Sequence, residues 1–133
     1  MDTRVLARPS APRKLRVTLT AGQAATAARH EVRAAIRAWN LPVNLSVAVL
    51  LTSELVSNTL RHEAGTAIEL VISCAYRQLQ VDVYGTAPAV APPAGAAESD
   101  QAAQGLVLLR RLSSSWGYCR TPVGQAGYFT LMF

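Results

Sequence analysis

Apolar and polar residues alternate over "KLRVTL" (14–19), the period of a strand with one buried face. Thr20 followed by Gln23 has the spacing of a capping box and opens a helix predicted over about 21–39. Within it Ala25, Ala28, Val32, Ala35, Ile36 and Trp39 recur at helical spacing and form the buried face. Pro42 in "NLPVN" (40–44) breaks that helix, and Asn44 is placed to cap a second one over about 45–62. Two β-rich runs, "TAIELVISCAY" (66–76) and "LQVDVYG" (79–85), flank "RQ" and predict a hairpin. The proline-bearing "TAPAVAPPAGAAESDQ" (86–101) has no period, and loops of that length inside a domain are usually functional or disordered. A short helix is predicted at about 102–113, then a strand "SWGYCRT" (115–121), a turn "PVGQAG" and a closing strand "YFTLMF". The order β-α-α-β-β-loop-α-β-β predicts an α+β two-layer sandwich. Its mostly antiparallel mixed sheet of about five strands is covered on one face by two to three helices. Residues 1–12 lack periodicity and read as a flexible tail, leaving 13–133 as one domain.

The second helix raises a question of its own. On a wheel of about 100° per residue, Val43, Val47, Leu50 and Leu51 fall within about 60° of Glu54. Asn58 and Arg61 lie in the same sector, with His62 slightly to one side. A stripe that begins apolar therefore turns into carboxylate, amide and guanidinium. Burying these groups dry would cost several kcal/mol each unless they were paired. Either the core opens there into a polar pocket, or the helix outruns the sheet into water.

Composition narrows the class. The 133 residues are 50% apolar and 16% charged, which describes a globular chain with one core. No apolar run approaches a membrane span, and the N-terminus has no secretory h-region. Cys74 and Cys119 match no zinc or CxxC spacing, so a reduced cytoplasmic chain is the simpler reading, though one disulfide is open. The net charge of +5 and pI near 9.9 favour acidic partners. No aromatic–basic interleaving or DNA-binding motif accompanies that charge, so direct nucleic-acid binding ranks last. Arg29, Arg33 and Arg37 stand four apart on the first helix, either as a solvated face or as a docking face for an acidic protein. There is no P-loop and no GxSxG, and "HEAGT" fails HExxH because residue 66 is Thr.

The segment "LLTSELVSNTLRH" resembles the N box of the GHKL (Bergerat) ATP-binding fold. More narrowly it is similar to the bacterial anti-sigma factor and serine-protein-kinase branch, whose motif reads roughly E-L-V-x-N-A-x-x-H. The order of elements agrees along nearly the whole chain after the tail, and the Gly-Leu of "QGLVLLRRLSSSWGY" matches a second motif. The resemblance implies ATP and Mg²⁺ as cofactors, with Asn58 as the metal ligand through its carbonyl oxygen. It implies Glu54 as the base that orients a protein serine hydroxyl, and Arg61 and His62 as groups meeting phosphates or a neighbouring acid. Gly105 and Leu106 would let backbone approach an anion at a helix N-terminus, and residues 86–104 would form the ATP lid. The implied partners are a sigma factor and an anti-anti-sigma protein, and a homodimer through the sheet is a further expectation.

Three motifs depart from the pattern. The family's adenine-reading aspartate, in V-x-V-x-D-x-x-P, is replaced by Gly85 in "VDVYGTAP". Asp82 lies three residues early, on the opposite strand face from Val81 and Val83. Ala103 replaces the first glycine of G-R-G-L, and "AGY" (126–128) stands where G-K-T is expected. Two functions follow as expectations: an ATP-binding anti-sigma regulator with serine kinase activity, or a degenerate member acting by protein contact alone.

Overall fold

The computed structural model describes residues 12–61, 67–85, 107–121 and 124–133. Strand β1 (Arg13–Thr20) and a 3-10 turn (Ala21–Gln23) lead into helices α1 (Ala24–Ala38) and α2 (Leu45–Arg61). A hairpin of β2 (Ala67–Ala75) and β3 (Gln78–Gly85) follows, and the chain closes with β4 (Ser115–Thr121) and β5 (Gly124–Met132). Residues 107–112 are helical. Residues 1–11 of the predicted tail (1–12), the lid loop (86–104), His62, Gly105 and Leu106 lie outside the described residues.

The five strands make one sheet in the order β1-β2-β3-β5-β4, with every neighbouring pair antiparallel. α1 packs over β1 and β2, and α2 over β3 and β5, giving the expected two-layer α+β sandwich. Alternation decides which side of the sheet is covered. Ile68, Leu70, Ile72, Leu79, Val81, Val83 and Phe129 are fully buried towards the helices. Alanines at 24, 28, 35 and 48 keep the helix surfaces low enough for close contact. Leu109, in the helical stretch 107–112, completes the core.

Local chemistry departs from expectation at four boundaries. Thr20 and Gln23 form no side-chain cap, and the 3-10 turn instead bonds the Ala24 N–H to the Ala21 carbonyl. α1 stops before Pro42. Asn40 takes a left-handed conformation (φ 54), its N–H bonds the Arg37 carbonyl, and the Leu41 N–H bonds the Ile36 carbonyl. That is a Schellman motif with asparagine in place of the usual glycine. Asn44 does cap α2, its Oδ1 accepting the Val47 N–H at 3.0 Å. The first hairpin turns at Tyr76–Arg77, one residue earlier than "RQ", with φ of 52 and 64. β5 begins at Gly124, so "QAG" belongs to the strand and not to the preceding turn.

Candidate functional site

The buried face of α2 is rotated from the predicted stripe. Ala48, Leu51, Thr52, Leu55, Val56, Asn58 and Thr59 are buried, whereas Leu50 is 39% exposed, Glu54 half-buried and Arg61 exposed. The centre of that face lies about 100° from Glu54 on the wheel, close to Leu55. Two threonines belong to this face. The Thr52 hydroxyl donates to the Ala48 carbonyl at 2.8 Å, and Thr59 to the Leu55 carbonyl at 2.9 Å. Each hides its polar group against its own helix and enters the core as a near-apolar side chain. The expected stripe is therefore a margin, with Asn58 just inside it and Glu54 and Arg61 at its rim.

Asn58 is the hub of the junction between α2 and the β4–β5 hairpin. Its Nδ2 donates to the Tyr118 hydroxyl oxygen at 3.2 Å, and its Oδ1 accepts from the Arg61 guanidinium at 2.6 Å. Both ends of the buried amide are thereby satisfied. Burial pushes the Tyr118 phenol up to about 12 against the opposing Asn58 bond, while the Glu54 charge raises it and Arg61 lowers it. Glu54, Asn58, Arg61 and Tyr118 thus share one electrostatic neighbourhood. Among the described residues Glu54 has no hydrogen-bond or ion-pair partner, which leaves its carboxylate available. Its neighbour Ser53 accepts from Arg29 of α1 at 3.1 Å. The first member of the arginine stripe is accordingly spent in holding the two helices together.

Tyr118 reaches this position because Gly127 lies beneath it. The two are cross-strand partners, and a Cβ at Gly127 would stand 2.5 Å from the Tyr118 ring and 2.9 Å from Leu55. The opposite face repeats the arrangement, with Tyr128 lying over Gly117, where an added Cβ would stand 2.9 Å from the ring. Glycine in a strand marks close approach of another group, here an aromatic ring. Sequence reasoning missed Tyr118. The available signal was its strand parity with Trp116, whose ring it meets edge-on at 6.2 Å, and a strand glycine opposite.

Gly85 ends β3 and is buried, on the helix-facing side with Leu79, Val81 and Val83. One cross-strand row earlier lie Val83, Gly127 and Tyr118. Gly85 therefore lies on the helix-facing side near Tyr118 and offers no side-chain acceptor. Asp82 cannot replace it. Its carboxylate lies on the uncovered face between Val71 and Tyr128, bonded by Gln80, and burial raises its pKa.

The donor set decides what this junction can hold. Mg²⁺ needs near-octahedral oxygen ligands at about 2.1 Å. Asn58 Oδ1, the implied ligand, already faces a guanidinium, and among the described residues no group of three or more His, Cys, Asp or Glu is placed to hold a metal. A divalent ion on the second lone pair would lie roughly 4 Å from the guanidinium. The repulsion is about 2 kcal/mol even in water, or about thirtyfold in occupancy. Mg²⁺ does not fit this arrangement. A phosphate does, because Arg61 is exposed and has further N–H donors to offer.

No protein-family model matches this chain, and no curated protein matches it either. None of the described helices is long and apolar enough to cross a membrane.

Proposed function

We propose that this protein is an anti-sigma-type regulator on a GHKL-like scaffold, binding a sigma factor or its antagonist and taking ATP at the α2 junction. The observation that carries this reading is the pairing of an available Glu54 carboxylate with buried Asn58 one turn along α2, beside the Arg61 guanidinium. That constellation, on a five-stranded sheet with its helices on one face, agrees with the N-box resemblance of "ELVSNTLRH". In the kinase form of this reading, Glu54 orients an incoming serine hydroxyl of the antagonist and Arg61 steadies the phosphates.

A second reading, regulation by protein contact without nucleotide, is favoured by Gly85, which has no side-chain oxygen with which to read an adenine amino group. Calorimetric titration of ATP into the purified protein, with Asn58→Ala as control, separates the two. Binding lost on that substitution supports the ATP reading. No heat and no thermal shift at millimolar nucleotide overturns it and leaves the contact-only regulator.

A further inference from the structure

We infer that the Arg61 guanidinium occupies the place of a divalent metal beside Asn58, making the junction a metal-independent polyphosphate site that does not select its base. This rests on the ATP reading above and sharpens it. Three observations converge. The Asn58 side-chain carbonyl oxygen is bound by Arg61 at 2.6 Å, a short charge-assisted bond. Asn58 cannot turn its amide round without cost, because Nδ2 is held by Tyr118 at 3.2 Å within a buried setting. Gly85 stands where the resemblance expects an adenine-reading aspartate, and it has no side-chain acceptor.

The geometry gives Arg61 a fixed cation's role. Arg61 is the last described residue of helix α2, and the bond to Asn58, three residues earlier, pins its guanidinium along the helix. A guanidinium presents five N–H donors in one plane. One is spent on Asn58, and the rest can meet two phosphate oxygens side by side. A metal bridging protein and phosphate would have to displace this group, whereas a phosphate need only meet it. Recognition at such a site comes from phosphate charge.

The test is calorimetric titration of ATP and of tripolyphosphate into wild type, Arg61→Ala and Arg61→Lys, each in excess Mg²⁺ and in EDTA. For wild type, the ATP affinities in Mg²⁺ and in EDTA agree within about threefold, and tripolyphosphate binds within about tenfold of ATP. Arg61→Ala loses about tenfold or more in EDTA, and Arg61→Lys, which keeps the charge but not the planar fork, recovers part of it. Arg61 is exposed, so unchanged circular dichroism is expected for both variants. ATP binding that EDTA weakens about tenfold or more, or that survives Arg61→Ala unaltered, overturns the inference and leaves the ATP reading intact. ATP binding that tripolyphosphate does not reproduce overturns the claim about the base. Absence of binding by either ligand in every arm overturns the ATP reading itself, and this inference with it.

Discussion

Replacing Tyr118 with phenylalanine removes the oxygen to which the buried Asn58 amide donates. An unsatisfied buried donor costs about 1–2 kcal/mol, so the urea midpoint of Tyr118→Phe falls by that equivalent, with the slope unchanged. Gly127→Ala acts on the same contact from below. Its Cβ would enter the Tyr118 ring and Leu55, and overpacking of this kind costs about 1–3 kcal/mol. Near-ultraviolet circular dichroism should report the displaced Tyr118–Trp116 pair in that variant. At this scale the sequence marked Glu54, Asn58 and Arg61 as unusual for a helix surface. It did not show that Asn58 is closed by a tyrosine 60 residues away, because no local periodicity encodes a contact between a helix and a distant strand.

Turns and helix ends carry the next set of consequences. Tyr76 holds a left-handed conformation that disfavours side chains with a Cβ, at roughly 1 kcal/mol. Asparagine suits the first position of such a two-residue turn, so Tyr76→Asn should raise stability by about 0.5–1 kcal/mol in denaturant unfolding. Arg77 is different, since its backbone carbonyl accepts the Phe133 N–H and its Nε donates to the Phe133 carbonyl, both at 2.9 Å. On α1 the three arginines separate. Arg29→Ala removes the bond to Ser53 and should cost about 0.5–1.5 kcal/mol, whereas Arg37→Ala, on an exposed residue, should stay within about 0.5. Thermal or urea unfolding of the two variants side by side checks this. The hairpin register was only half legible. Pairing Cys74 with Leu79 or with Val81 puts apolar residues on the same face in either case. The observed Cys74–Leu79 pairing accompanies the turn clasped to Phe133.

At the scale of the molecule, the shifted ionisations among the described residues share one leading cause. Burial raises the Tyr118 phenol to about 12 and lifts the Tyr84 phenol and the Cys74 thiol above their ordinary values. A group whose native pKa is raised stabilises the fold fully below its unfolded pKa, and that contribution is lost as pH rises through the native value. The unfolded values are about 8.5 for cysteine and about 10 for tyrosine, so stability should fall progressively from about pH 9 upward. Urea midpoints across that range check the trend, and Tyr118→Phe should flatten the part between about 10 and 12. Asp82 follows the same sign in acid. Its raised pKa favours the fold only while it is protonated, so Asp82→Asn should raise stability at neutral pH. The sequence by itself determined the element order, the strand faces and the one-sided sandwich, because hydrophobic periodicity directly encodes which side of a helix or strand leaves water. It also isolated "ELVSNTLRHE" as chemically anomalous. Tertiary structure alone decided how far that anomaly was buried. Thr52 and Thr59 bond back to their own helix and so enter the core, and Tyr118 crosses Gly127 to close on Asn58. Such side chains change character only once a neighbour or their own backbone satisfies them, and no pattern of residue types records that satisfaction.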